Sequence, residues 1–241
     1  MSSASERLFE RHYYSQPSFT DGTLEFHRMI RDALGPVKRI LEVGAGPANA
    51  TSRFLSSLAP VTGVDVSDDI ESNGALSAAQ VFDGVTLPFA DETFDGCVSN
   101  FVLEHVEDPA RHLSEVARVL RPGAAYVFRT PNLFHYVAGA SRLLPHRVHV
   151  HTANRLRSLS ADAHEPWKTF YRANCRSVLR RLAPPAGLRV TDLRVVEKEP
   201  SYARASVVLF YPMMAYERLV NASALLEDFR ATIFGVLRKH T

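Results

Sequence analysis

The sequence predicts an α/β fold in which helices cover both faces of a mostly parallel sheet. Short apolar runs alternate with helical patterns between residues 39 and 130, and such alternation is typical of a doubly wound sheet. The chain has 241 residues, which suits one such domain with a modest addition. The alternation breaks for 57 residues after the fifth strand, over 131–187. That stretch is too long for a plain crossover, so we expect a helical cap there.

Residues 1–83 are predicted to supply two helices and three strands. Residues 1–22 are polar and aromatic, and Thr23 is placed to cap a helix that ends at Gly35-Pro36. A glycine-containing loop joins the first strand to the next helix. The predicted strands are 39–43, 61–66 and, more briefly, 80–83.

The fourth and fifth strands enclose a well-marked helix. The fourth strand is predicted at 94–100 and the fifth at 124–130. Between them, Asp108-Pro109 combines a cap with a proline at the first helical position. Apolar residues then recur with helical spacing until Pro122-Gly123 ends the helix.

Strands return after the predicted cap. We expect them at 188–197 and around 206–210, followed by a helical region that reaches Lys239. The prediction is thus a single domain with four parts: an N-terminal helical segment (1–36), a core (37–130), a cap insertion (131–187) and C-terminal strands with a helix (188–241).

Composition excludes several classes of protein. The formal charge of +2 and a pI near 8.6, without a dense basic stripe, argue against nucleic-acid binding. Two cysteines make no disulfide framework. The N-terminus lacks the apolar core of a signal peptide, and the longest apolar run, 207–216, is too short to cross a bilayer. We therefore expect a cytoplasmic protein without a membrane partner.

The most informative stretch is the loop after the first strand, E-V-G-A-G. It contains Glu42, Gly44 and Gly46, and Asp65 ends the second strand 19 residues later. Glycines let a backbone approach a ligand closely, and an acid after the second strand can accept hydrogen bonds from a ribose. This is the layout of a nucleotide-binding βαβ unit. The third glycine of a dinucleotide fingerprint is absent, because Asn49 stands there and can cap the next helix.

Five blocks in this order resemble the class I S-adenosylmethionine (SAM)-dependent methyltransferases of small molecules: E-V-G-A-G, V-D-V, D-G-V-T-L-P-F, L-E-H-V and R-P-G. The resemblance covers about 90 residues, from Ile40 to Asn132. It implies a Rossmann-like sheet of seven strands whose last two form an antiparallel edge. It also implies SAM as the methyl donor.

The resemblance assigns roles to residues at the carboxyl ends of the strands. Glu42 would orient the SAM ammonium, Asp65 would face the ribose hydroxyls, and Asp83 would accept from the adenine amino group. The simpler interpretation is that these acids, with Asn100, only end strands or form turns. The predicted cofactor-binding set is Glu42, Gly44, Ala45, Gly46, Asn49, Asp65, Val66, Asp83, Gly84 and Asn100.

Two histidines are candidate bases for a hydroxyl acceptor. His105 follows the fourth strand and His135 the fifth, at the edge where ligands bind in such folds. Unperturbed imidazole titrates near pH ~6.5, which suits proton removal around neutrality. Each histidine could instead only position its turn. Arg129 could hold an acidic substrate group or form a structural ion pair.

Other features remain open. The run P-H-R-V-H-V-H contains His146, His149 and His151, which could bind a metal or lie on a polar lid; no carboxylate or cysteine accompanies them, so we expect no metal site. Tyr13, Tyr14 and Phe19 could close over the cofactor or simply pack.

The predicted function is transfer of a methyl group from SAM to a small organic acceptor, most favourably on oxygen. One alternative is a SAM-binding protein that does not methylate, either regulatory or used for another reaction. A second alternative is an NAD-dependent oxidoreductase, which would bind NAD and not SAM.

Overall fold

A computed structural model describes residues 3–137, 167–204 and 206–241. Within these ranges the α-helices are α1 (Ala4–Phe9), α2 (Gly22–Leu34), α3 (Ala50–Ser56), α4 (Pro109–Val119), α5 (Arg176–Leu182) and α6 (Val207–Ala222). The strands are β1 (Ile40–Val43), β2 (Val61–Asp65), β3 (Ala78–Val81), β4 (Phe94–Asn100), β5 (Leu120–Pro131), β6 (Leu188–Val196) and β7 (Thr232–Lys239).

The seven strands form one mixed, mostly parallel sheet in the order β3-β2-β1-β4-β5-β7-β6. Its centre is parallel: β1 pairs with β2 and β4, while β3 pairs with β2 and β5 with β4. The reversal of strand order beside β1 is the position at which open α/β sheets bind ligands. The predicted fold class is confirmed.

The central strands are buried on both faces, as a parallel sheet requires. All four residues of β1 are buried, and β4 keeps Phe94, Cys97 and Val98 fully buried. Helix α4 begins as predicted, because the Asp108 carboxylate accepts from the backbone N–H of Arg111 and Pro109 occupies the first turn.

The C-terminal region differs from the prediction. The segment predicted as a strand at 206–210 begins helix α6, capped by the Ser206 hydroxyl, which accepts from the N–H of Leu209 at 3.4 Å. The missing strand is β7, which lies in the region predicted to be helical. A run such as V-V-L-F-Y has no polar residues to reveal its period, so the prediction was wrong on this element.

Other boundaries shift by a few residues. Thr23 lies inside α2, which begins at Gly22, and its hydroxyl accepts from Arg129 at 3.2 Å. Strand β3 ends at Val81 rather than at residue 83, and β5 begins at Leu120, before Pro122-Gly123.

The chain divides into two compact units. The first unit comprises Met1–Gly22, Asn132–Lys168 and Val195–Thr232, and the second comprises Thr23–Pro131, Thr169–Arg194 and Ile233–Thr241. Phe9, Tyr13, Ala203 and Phe210 form a core within the first unit. The second unit holds nearly all of the sheet.

The predicted cap at 131–187 is described only at its two ends. Residues 138–166 lie outside the described residues. Residues 169–187, which include α5, belong to the second unit with the sheet. Across the described parts of the chain, no helix is both long enough and apolar enough for a membrane span.

Candidate functional site

The loop after β1 is a tight backbone structure that needs glycine. Gly44 and Gly46 have φ of +69° and +51°, a region that other residues rarely adopt. The N–H of Gly44 donates to the carbonyl of Val64 at 2.8 Å. A Cβ at Gly44 would lie 2.3 Å from Cγ2 of Val102. Glycine is therefore required at this position both by conformation and by space.

Asp65 joins the loop to the end of β2. Its Oδ2 accepts from the N–H of Gly46 at 2.9 Å, and its Oδ1 accepts from the N–H of Ser67 at 3.0 Å. Each carboxylate oxygen has more than one acceptor site, so these two bonds leave capacity for further donors. The carboxylate can organise the loop and still accept from a ligand.

Asn49 holds the loop together and caps α3. Its Oδ1 accepts from the N–H groups of Thr51 and Ser52 at 2.8 and 3.1 Å, while its Nδ2 donates to the carbonyl of Ala45 at 2.9 Å. The amide of Asn73 donates to the carbonyl of Gly46 at 3.0 Å. Asn49 thus has the capping role that its position suggested; contact with a cofactor stays a prediction.

Glu42 is a buried carboxyl group with an unsatisfied oxygen. Only 2% of the residue is exposed, and Oε2 has no hydrogen-bond partner. Burial raises the pKa of Glu42 to about 7, although a hydrogen bond with Ser52 opposes the rise. An unsatisfied buried carboxyl is costly unless a donor or a cation meets it. The ammonium group of SAM fits this requirement.

Asp83 and Gly84 form the turn after β3. Oδ1 of Asp83 accepts from the N–H groups of Val85 and Thr86, both at 2.8 Å, and these bonds lower the pKa of this exposed carboxyl. Gly84 has φ of +77°, and a Cβ at this position would lie 3.0 Å from Cγ1 of Val66. Asp83 is therefore a turn residue, and its contact with adenine stays a prediction.

Asn100 ends β4 and lies between two polar groups. Its Oδ1 accepts from Nε of Arg129 at 2.6 Å, and its Nδ2 donates to the Thr51 hydroxyl at 3.2 Å. The Arg129 guanidinium also lies over the rings of Phe26 and Phe101, at 5.0 and 4.8 Å. These contacts show Arg129 orienting Asn100, a role that its sequence position did not suggest.

Phe101 is a further feature that the sequence did not reveal. It has φ of +57° and is 40% exposed, directly after β4. A left-handed aromatic residue is strained, and such strain is concentrated at functional sites. No sequence signal marks it, because Phe has no preference for this conformation.

His105 lies in a short turn after β4 and is partly exposed. Its side chain is 32% exposed, and Nε2 lies 4.0 Å from Oε1 of the buried Glu104. Glu104 was not among the predicted site residues. Its burial could not be read from L-E-H-V, because a glutamate beside a histidine usually lies at the surface.

His135 lies in the first unit and is buried. It is 5% exposed, and Nε2 lies 3.5 Å from Oε2 of Glu197, with no hydrogen bond made by either atom. Burial lowers the pKa of His135 to about 4 and raises the pKa of Glu197 to about 8. A buried imidazole with this pKa is a weak base. Proton removal by either histidine stays a prediction.

Two other sequence hypotheses stay open. His146, His149 and His151 lie outside the described residues; within the described ranges no group of three His, Cys, Asp or Glu could hold a metal ion. Tyr13 is buried in the core of the first unit, and its hydroxyl donates to Glu217 at 3.0 Å. Closure of Tyr13, Tyr14 and Phe19 over a cofactor stays a prediction.

Known proteins resemble part of this chain. Residues 41–128 match the family model described as a methyltransferase domain. These residues are similar to a SAM-dependent methyltransferase domain. A demethylmenaquinone methyltransferase from Mycobacterium sp. (strain KMS) is 38% identical over 103 residues, which are 41% of this chain and 45% of that protein. An uncharacterized 37.1 kDa protein in transposon TN4556 of Streptomyces fradiae is 32% identical over 150 residues, which are 55% of this chain and 44% of that protein.

Solved structures share the methyltransferase fold at low identity. A putative sarcosine dimethylglycine methyltransferase from Galdieria sulphuraria superposes with a TM-score of 0.59 at 14% identity, over 99% of both chains. The cyclase SpnF superposes with a TM-score of 0.56 at 17% identity, over 90% of this chain and 81% of that one. The chain spans less than half the length of the curated relatives named above.

Proposed function

We propose that this protein transfers the methyl group of SAM to an oxygen atom of a small organic molecule. The observation that carries the proposal is Glu42, a buried carboxyl with an unsatisfied oxygen at the end of β1, within the residues that match the methyltransferase domain. It stands directly before the glycine loop, in which Gly44 and Gly46 both have positive φ. When bound, SAM supplies an activated methyl group on a sulfonium centre.

The residues of the chain have separate tasks in this proposal. Glu42 binds the ammonium group, the glycine loop admits the amino-acid portion, and Asp65 accepts from the ribose. Asp83 and Gly84 adjoin the adenine, and Asn100, held by Arg129, ends β4 beside the reacting groups. His105 removes the proton of the acceptor. Because the methyl group is already activated, alignment and proton removal are the remaining needs.

A small acceptor is supported by the charge of the chain. The net charge of +2 gives no electrostatic attraction for RNA or DNA. A hydroxyl acceptor is favoured because it requires a base, and a partly exposed histidine follows β4.

Two measurements test the proposal. Isothermal titration calorimetry should detect SAM at micromolar concentrations, with binding strongly weakened in Glu42→Gln. Incubation with SAM and a metabolite extract should then form S-adenosylhomocysteine, and the new methylated mass would identify the acceptor. Tight binding of NAD without SAM binding would instead indicate an oxidoreductase.

The second candidate function is SAM binding without methyl transfer. The structural similarity to a protein named as a cyclase favours keeping it, since this fold is not restricted to methyltransferases. SAM binding without S-adenosylhomocysteine formation across several extracts, with SAM recovered intact, would support that alternative.

A further inference from the structure

Glu104 is a buried carboxyl group directly beside the proposed base. Its side chain is 6% exposed, whereas that of His105 is 32% exposed, and Oε1 of Glu104 lies 4.0 Å from Nε2 of His105. The proposed function assigns no task to this carboxyl group. A carboxylate at this distance from an imidazole can stabilise its protonated form.

The hydrogen bonds around Glu104 distinguish its two oxygens. The Nδ2 of Asn174 lies 2.7 Å from the Thr130 hydroxyl and 2.9 Å from the carbonyl of Pro131. A carbonyl only accepts, which orients the amide nitrogen of Asn174 towards both groups. Thr130 accepts from Asn174, so its own hydrogen is directed at Oε2 of Glu104, 3.0 Å away. Oε2 is therefore an acceptor, and Oε1 is the oxygen that faces His105.

The backbone holds this arrangement in place. The carbonyl of Glu104 accepts from the N–H groups of Phe170 and Tyr171, at 2.7 and 3.2 Å. Tyr171 has φ of +52°, a strained conformation for a non-glycine residue. Asn174 is 1% exposed and leaves its Oδ1 without a hydrogen bond. A strained backbone and an unsatisfied buried oxygen both cost free energy, and they persist only where the surrounding structure holds them in place. Here both occur in residues that support Glu104.

We propose that Glu104 is a positioning residue for His105, held ready by Thr130 and Asn174. The inference rests on the proposed function, because it assigns a partner to the proposed base. Oε1 of Glu104 is too far from Nε2 of His105 for a hydrogen bond, but it is close enough to favour the protonated imidazole electrostatically. As the acceptor oxygen bonds to the methyl carbon and the S–C bond breaks, the O–H proton passes to the imidazole of His105. The resulting imidazolium is then stabilised by the Glu104 carboxylate.

Other titratable groups lie near this pair. Burial raises the pKa of Glu104 to about 7, although hydrogen bonds, including the one from Thr130, act to lower it. The phenol of Tyr126 on β5 is in electrostatic contact with Glu104, and burial raises the pKa of this phenol. Glu107 and Arg172 pair with each other at the surface, 3.9 Å apart. Glu104 is thus the group that ionises beside His105 near neutrality.

The first test measures His105 directly in the ligand-free protein. Its imidazole resonances, assigned by their loss in His105→Gln, would be titrated by NMR in the wild type and in Glu104→Gln. The glutamine retains the size of the side chain and an acceptor for Thr130. We expect the pKa of His105 to fall by about one pH unit when the carboxylate is removed. An unchanged titration in a folded Glu104→Gln protein would overturn the proposal.

The second test uses the pH dependence of kcat/KM. Thr130→Val removes the donor to Oε2, which raises the pKa of Glu104 and should move the acid limb to higher pH. Thr130→Ser keeps the donor and should leave that limb in place. A merely structural role would lower turnover at every pH without moving the limb, and that result would count against Glu104.

The two proposals can fail separately. If the wild type binds SAM but yields no S-adenosylhomocysteine, the proposed function fails, while the NMR titration still decides whether Glu104 controls the protonation of His105. If methyl transfer is observed and both the titration and the pH limb are unchanged, only the role of Glu104 is wrong.

Discussion

The carboxylate of Asp65 accepts a hydrogen bond from the backbone N–H of Gly46, at 2.9 Å. The acid that ends β2 therefore holds the glycine loop that follows β1. One side chain both shapes the loop and presents an acceptor beside it. The effects of mutating Asp65 should be larger than the loss of one ligand contact, because the loop itself is affected.

Asp65→Ala should weaken SAM binding at least tenfold, since a hydrogen bond to a charged group contributes about 1.5–3 kcal/mol. Asp65→Asn should lie between this variant and the wild type, because the amide oxygen can still accept from Gly46. Calorimetric titration with SAM measures both. Asp68→Ala, at an exposed position in the next turn, is the matched control and should bind SAM normally. Equal affinities for Asp65→Ala and the wild type would remove Asp65 from the predicted site.

Gly44→Ala should destabilise the protein more than Gly35→Ala. Both glycines have positive φ, +69° and +60°, but a Cβ at Gly44 would meet Val102 at 2.3 Å, whereas nothing lies within 4 Å at Gly35. Backbone strain contributes about 1–2 kcal/mol at each position, and the steric clash should add about 1–3 kcal/mol at Gly44. Urea unfolding measures the difference. Val102→Ala should recover part of it, and no recovery would show that the clash is not the cause.

Removing the Glu42 carboxyl should stabilise the ligand-free protein above neutral pH. Its folded pKa of about 7 is raised by burial above the ordinary 4.5. The Glu42 carboxyl therefore ionises at a lower pH in the unfolded state than in the folded state. Its contribution to the free energy of unfolding falls as pH rises from about 4.5 to 7 and then levels off. A shift of this size corresponds to about 3 kcal/mol.

The measurement is the difference in urea midpoint between Glu42→Gln and the wild type, from pH 4 to pH 9. The difference isolates Glu42 from the other buried acids, Glu104 and Glu197, whose pKa values are also raised by burial. We expect a curve that rises through pH 4.5–7 and then stays flat. SAM should stabilise the wild type more than the variant. A flat difference at every pH would mean that Glu42 is not held protonated by burial.

His105→Gln should lower turnover about 10²-fold while leaving the affinity for SAM nearly unchanged, the size expected for a lost general base. His135→Gln should mainly lower the unfolding midpoint, because His135 is packed 3.5 Å from Glu197. Turnover and SAM affinity would be measured for both variants across pH. Loss of turnover in His135→Gln alone would transfer the role of base to His135. Wild-type turnover in both would leave catalysis to alignment alone.

The sequence by itself determined the parallel centre of the sheet, the glycine loop after β1 and the caps of two helices. These features depend on single residues and their near neighbours in the chain. Gly44 and Gly46 permit positive φ. Asn49 and Asp108 accept hydrogen bonds from backbone N–H groups two or three residues ahead. Strand β4 was predicted with its observed bounds because a buried parallel strand is bounded by polar turns. Local chemistry of this kind can be read from a single chain.

Only the tertiary structure decided which acids are buried and what they face. Glu104 meets Thr130, which is 26 residues away, and Asn174 reaches Thr130 across 44 residues. Helix α6 and strand β7 exchanged their predicted conformations, since an apolar run forms whichever element packs. His135 follows β5 as His105 follows β4, yet burial beside Glu197 lowers the pKa of His135. Desolvation depends on everything that surrounds a group in space, which sequence spacing does not specify.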